Sequence, residues 1–199
     1  MGDSQRTVSV ILEAAERVIV QSGVEKATIE AVAREAGVSK GGVLHHFPSK
    51  DAIVIGLVAR LIEKFDAEVT ALRAADPEVK GSFTRAFLSA GTKKDDHCIE
   101  VFFALQAAFR NCPSLQDLLR NAHLRWQMRI EQDGIDPVCA SVVRLATDGL
   151  WLAKLHRVTV PSEQFRSVLI DYLMALTRTP IVQNQAADSR GRTRQLATR

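Results

Sequence analysis

Apolar residues recur every three or four positions along most of the chain, and this spacing predicts helices nearly everywhere. Alternation of apolar and polar residues, which is typical of strands, is almost missing. The first apolar stripe is followed by Gly23, a residue type that commonly ends a helix. Its members are Val8, Ile11, Leu12, Ala15 and Ile19. The pattern therefore predicts an all-α protein with about nine helices and no sheet.

Polar residues that favour capping mark where these helices should begin. Asp76 and Asp136 are each followed by a proline, which suits the first turn of a helix. Ser114 with Asp117 resembles a capping box. Residues 98–110 are predicted to form one continuous helix. The predicted caps are Thr28, Ser39, Ser49, Asp76, Ser114, Asp136 and Ser162.

Two short helices are predicted on either side of Gly37, with very few residues between them. Such a pair must cross at a steep angle, which is helix-turn-helix geometry. Helices of one or two turns have no independent stability, so neighbouring helices must hold them. We expect a three-helix domain in residues 1–50, a helical body in residues 51–178 and a disordered basic tail in residues 179–199.

The composition is that of a globular protein, with 199 residues, 46% hydrophobic and 25% charged. No run of 18 apolar residues occurs, so we expect no membrane span and a cytoplasmic location. The three cysteines are too scattered for a disulfide framework and are expected to be small buried hydrophobic residues. They are Cys98, Cys112 and Cys139.

The net charge of +3 is concentrated at one end of the chain. Residues 178–199 hold five arginines against Asp188, a net charge of +4, which leaves about −1 for the rest. Net charge is therefore no evidence of DNA binding, and any such role depends on local placement of charge. The tail could add nonspecific attraction to DNA, or it could be a solvated end of the chain with no role in binding.

The second short helix should turn small, polar and basic residues outward. Two consecutive glycines cost about 1 kcal/mol each in a helix, which suggests that something such as a DNA groove approaches the backbone closely. Adjacent histidines point about 100° apart on a helix and cannot easily share a metal, for which i, i+4 spacing is typical. No nucleophile or cofactor motif accompanies them, so we expect no metal, no cofactor and no enzymatic activity.

Two stretches, "ILEAAERVIVQSG" and "ATIEAVAREAGVSKGGVLHHFPSKDAIV", carry a wider resemblance. The second fits the pattern T-x-x-x-[IV]-A-x-x-A-G-V-S-x-G-x-[LV]-x-x-x-F-x-[SN]-K-[DE] at nearly every position. With these stretches, residues 8 to 54 resemble the DNA-binding domain of the TetR family of bacterial transcriptional regulators. The resemblance implies a helix-turn-helix domain followed by a helical effector-binding and dimerisation domain.

The resemblance, carried over by position, implies phosphate contacts from Thr28 at a helix N-terminus and from Lys50 at the start of the fourth helix. Lys40 could donate to guanine, and His45 or His46 to phosphate or base. The predicted DNA-contacting residues are Thr28, Ser39, Lys40, Gly41, Gly42, His45, His46 and Lys50. Three residues are predicted to pack internally rather than touch DNA: Val43, Leu44 and Phe47.

A single helix-turn-helix makes few contacts, so a specific reader pairs two of them, with half-sites about 34 to 36 Å apart or a multiple of this. The last two predicted helices are apolar on more than one face and would otherwise expose a large patch. TetR-like proteins typically dimerise there as a four-helix bundle. The predicted interface is Val142, Leu145, Leu152, Val168, Leu169, Tyr172 and Leu176, although some of these could belong to the internal core.

The middle helices carry aromatic residues with isolated polar residues among them, and such a polar group needs a partner or a ligand atom. Phe102, Phe103 and Gln106 are predicted to share one helical face. The resemblance implies an effector cavity here for a hydrophobic or weakly polar small molecule. Its predicted lining is Phe87, Phe102, Phe103, Gln106, Phe109, His123, Trp126, Asp148 and Trp151. These aromatic residues could also be ordinary core, and Asp148 could simply pair with Arg144.

We therefore predict a homodimeric repressor that its ligand releases from DNA. By linkage, the ligand must bind one arrangement of the two DNA-binding domains more tightly than the other. Two other functions stay open. One is an all-helical enzyme or carrier that acts on a ligand in its cavity. The other is an adaptor that has kept the fold without specific DNA binding, which is favoured by the six basic and six acidic side chains of residues 1–50.

Overall fold

The computed structural model describes residues 2–93, 96–158 and 161–180. Over these residues the chain forms ten α-helices, one 3-10 turn (Val24–Lys26) and no strand. The helices are α1 (Asp3–Ser22), α2 (Ile29–Ala36), α3 (Lys40–His46), α4 (Lys50–Ala75), α5 (Ser82–Thr92), α6 (Asp96–Ala104), α7 (Gln106–Asn111), α8 (Pro113–Glu131), α9 (Pro137–Leu155) and α10 (Glu163–Leu176). The all-α prediction is confirmed, with ten helices rather than nine.

The tenth helix arises from a break in the segment predicted to be one helix over residues 98–110. Leu105 separates α6 from α7 and is fully buried. Its amide is shared between the carbonyls of Val101 at 3.1 Å and Phe102 at 3.2 Å. This tighter local geometry at a buried leucine interrupts the helix although the apolar spacing continues.

Five of the seven predicted caps are confirmed, and those at Ser114 and Asp76 are wrong. The capping side chains that accept a hydrogen bond from a backbone amide of the next turn are Thr28, Ser39, Ser49, Asp136 and Ser162. The capping box predicted at Ser114 does not form, since α8 begins two residues earlier than predicted, with Cys112 as its N-cap. Asp117 pairs instead with Arg120 at 2.7 Å.

The helix start predicted at residues 76–77 is also wrong. Asp76 follows the last residue of α4, and α5 begins only at Ser82. The Asp76 carboxylate accepts hydrogen bonds from the amide of Glu78 at 2.9 Å and from Nε of Arg85 at 2.7 Å. It therefore holds a turn and a buried arginine rather than a helix end.

The N-terminus of α5 is capped by a residue distant in the chain. The buried Asp133 carboxylate, between α8 and α9, accepts from the Phe83 amide at 3.1 Å and from the amide and hydroxyl of Thr84 at 2.7 and 2.8 Å. The Asp133 carbonyl accepts from the amide of Gly81 at 2.7 Å. Gly81 has φ 74°, and a Cβ there would lie 2.3 Å from the Thr177 carbonyl oxygen. A glycine is therefore required at this junction.

The segment just after α3 is anchored between two other helices. Phe47 is buried, and its ring approaches Gly56 of α4 so closely that a Cβ at Gly56 would lie 2.8 Å from it. The same Cβ would lie 3.3 Å from Leu12 of α1. The absence of a side chain at Gly56 thus lets Phe47 fix the end of α3 against α1 and α4.

Other expectations concern the whole chain. No helix within the described ranges combines the length and the apolarity that a membrane crossing needs. Cys112 is buried, whereas Cys98 and Cys139 are half-buried, and none of the three forms a disulfide within the part of the chain that the structure describes. The predicted domain boundary after residue 50 stays a prediction. Most of the predicted basic tail, residues 181–199, lies outside the described residues.

Candidate functional site

The turn between α2 and α3 is built around Gly37. Gly37 has φ 67° and ψ 27°, a left-handed conformation that glycine adopts without steric cost. The next amide, that of Val38, donates to the Ala33 carbonyl at 3.0 Å, so a carbonyl at the end of α2 is satisfied. Ser39 then caps α3. Three residues therefore join the two helices, as a helix-turn-helix requires.

The helix α3 has one buried and one exposed face. Val43 is fully buried. The exposed residues are Lys40, Gly41, Leu44 and His45, with Gly42 and His46 half-buried. Leu44 is 39% exposed, so the prediction that it packs internally is wrong. The helical spacing in the sequence already indicated this exposure. Val43 and Phe47 are four residues apart and share one face, and Leu44 lies about 100° around the helix from that face.

The lack of a side chain at Gly41 serves no packing within the protein. The backbone of Gly41 does not have a positive φ. A Cβ added there would meet nothing closer than the Ser39 hydroxyl at 3.9 Å. A Cβ at Gly42 would lie 3.3 Å from the same atom, a tighter contact. The surface over Gly41 is therefore open to an approaching molecule.

Both predicted DNA-binding lysines contact acidic residues that the sequence patterns did not indicate. Lys40 Nζ lies 2.5 Å from the carboxylate of Glu30 on α2, and this hydrogen bond holds the pKa of Glu30 below its ordinary value. Lys50 Nζ donates to the Glu25 carbonyl at 3.1 Å and lies 3.8 Å from its carboxylate. Exposed ion pairs contribute about 0–1 kcal/mol, so a phosphate can displace these partners.

Three further predicted residues lie near this face. Thr28 Oγ1 accepts from the Ala31 amide at 3.1 Å, and the Thr28 hydroxyl, as a hydrogen-bond donor, also helps to lower the pKa of Glu30. The rings of His45 and His46 have centroids 4.9 Å apart at 75° to each other. Among the residues that the structure describes, no group of three metal-ligating side chains comes together.

A helix-turn-helix with an exposed second helix, which here presents Lys40, Gly41 and His45, is the architecture of one class of DNA-binding proteins. The family model described as "Bacterial regulatory proteins, tetR family" matches residues 11–57. A second model, "Tetracyclin repressor-like, C-terminal domain", matches residues 81–178. The chain belongs to the TetR family of transcriptional regulators, which are not enzymes.

Individual relatives extend this likeness over most of the chain. The transcriptional regulator PksA of Bacillus subtilis (strain 168) is 25% identical over 187 residues, which cover 87% of this chain and 91% of that protein. The regulator BetI of Ectopseudomonas mendocina (strain ymp) is 28% identical over 178 residues, 83% of this chain and 90% of that one. A crystal structure of a regulator from Pseudomonas aeruginosa PAO1 has a TM-score of 0.69 at 19% identity, covers 89% of this chain and 92% of that chain, and shows the same fold.

The last two helices present an exposed apolar surface. Of the seven residues predicted for dimerisation, the exposed ones are Val142, Leu145, Leu152, Val168 and Tyr172. Leu169 and Leu176 are half-buried and pack against an internal cluster of Leu88, Val143 and Leu173. Val138 and Phe165 are exposed as well and were not predicted. We call the exposed set, Val138, Val142, Leu145, Leu152, Phe165, Val168 and Tyr172, the α9–α10 face.

The residues predicted to line an effector cavity divide between two aromatic clusters. In the first, Phe87 and Trp126 are buried with ring centroids 5.7 Å apart, and Phe65 lies 5.1 Å from Trp126. Trp126 Nε1 donates to the Asp66 carboxylate at 2.6 Å. The indole therefore has an internal hydrogen-bond partner, and these rings pack as core.

The second cluster lies where α6, α7 and α9 meet. Phe102 stacks on Phe109 with centroids 6.0 Å apart and meets Trp151 edge-on at 5.1 Å. Phe103 is exposed instead, with the guanidinium of Arg157 4.6 Å above its ring. The prediction that Phe102 and Phe103 share one face with Gln106 is therefore wrong. Gln106 starts the next helix and lies 3.3 Å from Nδ1 of His156.

The predicted polar residues His123 and Asp148 are both held by Arg144. Arg144 donates to Nδ1 of His123 at 2.9 Å and lies 3.1 Å from the Asp148 carboxylate, which is the pairing foreseen for Asp148. Burial lowers the pKa of His123 and raises that of Asp148. Since arginine can only donate, Nδ1 must accept, and His123 is neutral although the Asp148 carboxylate lies 4.0 Å away.

A cavity of about 200 Å³ opens beside Trp151. Of the nine residues predicted to bind an effector, Trp151 is the one that lines it. Its uncharged lining consists of Ala90, Gly91, Cys98, Ile99, Leu150, Trp151 and Pro161. Its charged lining consists of Glu68, Lys93, Lys154, Glu163 and Arg166. The lining of the cavity is thus partly apolar and partly charged.

A cluster of three charged or titratable groups connects the helix-turn-helix to the helical body. The Glu16 carboxylate on α1 lies 2.6 Å from Nη2 of Arg60 on α4 and 2.5 Å from Nε2 of His97 on α6. Burial acts to raise the pKa of Glu16, but the hydrogen bond from His97 and the charge of Arg60 hold it below its ordinary 4.5. Sequence spacing gave no sign of this contact, because its members are far apart in the chain.

We expect Glu16→Gln to lower the free energy of unfolding at pH 7 by about 1.5–3 kcal/mol, the range for hydrogen bonds to charged groups. Because the folded-state pKa lies below the unfolded one, the stabilisation by Glu16 is present above about pH 4.5 and lost as pH falls through the folded value. The two proteins should therefore differ at pH 7 and converge in acid. Urea denaturation across this range measures it.

Glu35→Gln provides the matched control, since Glu35 also lies 2.6 Å from an arginine, Arg17, but both side chains are well exposed. It should change the stability by less than about 0.5 kcal/mol. A destabilisation of Glu16→Gln that stayed constant down to acid pH would contradict the role of the ionised carboxylate.

Proposed function

We propose that this protein is a homodimeric, sequence-specific repressor that leaves its operator when a hydrophobic small molecule binds the helical body. The observation that carries the proposal is the open face of α3. This helix follows the turn at Gly37 and exposes Lys40 at its first position. Regulators of this family bind operator DNA and small-molecule effectors and act as dimers, which supports each part.

In this proposal α3 enters the major groove, and the ends of the neighbouring helices contact phosphates. Lys50 at the start of α4 and Thr28 before α2 would bind the backbone, while Lys40 would donate to guanine. The proposed contacts are Thr28, Ser39, Lys40, Gly41, Gly42, His45, His46 and Lys50. The ion pairs of the two lysines would exchange their carboxylate partners for phosphates or bases.

The α9–α10 face is the proposed contact between two copies. A monomer would leave this apolar surface in water, and patches of this kind mark association sites. Leu169 and Leu176, half-buried beneath the face, would support it from within. Domain limits of 1–50 for the DNA-binding part and 51–178 for the rest suit this division, and we infer a cytoplasmic location from the need to reach DNA.

The effector would enter the helical body beside Trp151. A cavity of about 200 Å³ is smaller than the roughly 300–1,000 Å³ of typical ligand sites. A larger ligand would therefore have to separate Trp151 from Phe102, which meets it edge-on at 5.1 Å. Such a separation would change the packing of the helical body, against which the DNA-binding helices pack. Ligand binding at the cavity would therefore be linked to the affinity for the operator.

We expect the protein to bind a labelled fragment of its own upstream DNA with an affinity that falls steeply with salt, because counterions are released from phosphates. Lys40→Ala should reduce the affinity and relax the preference for guanine at the position that Lys40 contacts. Lys64→Ala is the control, since Lys64 is exposed on α4 about 21 Å along the helix from Lys50. Fluorescence anisotropy at several salt concentrations measures each variant.

Specific binding that Lys64→Ala leaves unchanged and Lys40→Ala weakens supports the proposed reading surface. Binding with no preference for any sequence would favour an adaptor that has kept the fold. A screen of hydrophobic small molecules in the same assay tests the sensor. If none lowers operator affinity, the repressor-release part of the proposal is wrong.

A further inference from the structure

Leu44 is the one large apolar side chain that α3 exposes. The same helix buries Val43 completely, and Phe47 after it is buried as well. Full burial of a leucine stabilises a protein by about 1.5–3 kcal/mol relative to exposure. Leu44 is 39% exposed, so the fold of the protomer leaves part of this stabilisation unrealised at a position on the proposed DNA-binding face.

The surroundings of Leu44 leave it accessible. Side chains of a helix lean toward its N-terminus, so Leu44 extends over the surface of Gly41 and Lys40, one turn earlier. Gly41 has no side chain, and the space where its Cβ would lie is open. Lys40 is drawn toward Glu30 on α2, 2.5 Å away. A flat partner could therefore contact Leu44 and the backbone at Gly41 together.

The bases of DNA differ in what they offer such a side chain. Thymine alone presents a methyl group in the major groove, beside its O4 acceptor, whereas the other bases offer hydrogen-bonding groups and no methyl group. We propose that Leu44 selects thymine in each operator half-site by contact with its C5-methyl group. This inference rests on the proposed DNA-binding function.

The position of that thymine relative to other contacts follows from the helix. Lys40 and Leu44 are four residues apart, about 6 Å along α3. Base pairs are spaced about 3.4 Å apart. The thymine read by Leu44 therefore lies within about two base pairs of a guanine contacted by Lys40.

The test uses an operator selected from random duplexes by the wild-type protein at low salt. Each thymine of a half-site is then replaced in turn by deoxyuridine, which lacks the methyl group and pairs in the same way. At one position in each half-site the wild-type affinity should fall about four-fold, the equivalent of one buried methyl group. Anisotropy titrations measure every duplex.

Leu44→Ala should bind the thymine duplex less tightly and show no further loss with deoxyuridine at that position. At any other sensitive thymine, replacement by deoxyuridine should lower its affinity as much as it lowers that of the wild type. Its salt slope should equal that of the wild type, since phosphate contacts are untouched. Leu44→Met, which keeps an apolar side chain of similar size, should retain sensitivity to the methyl group. Thermal unfolding of both variants checks that the fold is intact.

Three results would overturn the inference in different ways. Equal wild-type affinity for thymine and deoxyuridine duplexes at every position, with specific binding intact, rejects Leu44 as a thymine reader and leaves the DNA-binding function standing. Failure to select any sequence rejects the proposed function and the inference together. A methyl effect that persists undiminished in Leu44→Ala assigns the contact to another side chain.

Discussion

Replacing Leu145 and Val168 together by glutamate should make the protein monomeric and lower its affinity for a two-half-site operator by about 100-fold or more. Both side chains are more than half exposed on the α9–α10 face, so the protomer itself can accept the charges. In a dimer, the same carboxylates would be buried without partners, which is strongly unfavourable. Each DNA-binding domain would then bind its half-site independently, without the high effective concentration that a second, linked domain has in the dimer.

Val79→Glu is the matched control, because Val79 is 78% exposed but lies between α4 and α5, outside the α9–α10 face. It should leave both the mass and the affinity unchanged. Light scattering coupled to size exclusion measures the mass, and anisotropy measures the affinity. If the Leu145 and Val168 double variant remained dimeric, the second copy would have to be held by another surface.

Asp133→Ala should lower the free energy of unfolding by about 3–5 kcal/mol, because three buried donors lose their acceptor. The donors are the amides of Phe83 and Thr84 and the Thr84 hydroxyl, at 2.7–3.1 Å. Asp133→Asn retains one acceptor oxygen and should have an intermediate effect. Urea denaturation followed by circular dichroism measures both.

Asp117→Ala is the comparison for this prediction, since Asp117 also binds a neighbouring group at 2.7 Å but is well exposed. It should change stability by less than about 0.5 kcal/mol. A loss below about 1 kcal/mol for Asp133→Ala would mean that the start of α5 is held mainly by other contacts.

Local signals in the sequence predicted the helix-turn-helix well. The caps at Thr28, Ser39 and Ser49 act on amides three residues away, and Gly37 ends α2 by its own backbone geometry. Such interactions are complete within one turn, so a short stretch of sequence contains all their partners. The family resemblance rests on this same segment.

Contacts between distant residues were not predictable in this way. The start of α5 depends on Asp133, some fifty residues away, and no local pattern marks it. Glu16 and His97 are 81 residues apart and meet only because α1 packs on α6. Spacing along a chain shows which residues share a helical face, but not which helix will cover that face.

The candidate sites follow the same division. The open surface of α3 could be predicted because small and basic residues cluster within one short helix. The effector residues could not, because Phe102 and Phe103 are neighbours whose burial is decided by α7 and α9. Whether an aromatic residue belongs to the core or to a cavity depends on how closely other helices pack against it.

The helix α4 runs without interruption for 26 residues, from Lys50 at the proposed DNA-binding surface to Ala75 beside the Asp76–Arg85 ion pair. Its length is about 39 Å. At that length, a tilt of about 5° around the far end displaces Lys50 by about 3 Å, close to the 3.4 Å rise of one base pair. A small rearrangement at the far end of α4 would therefore move Lys50 by about the rise of one base pair and take it out of register with the DNA.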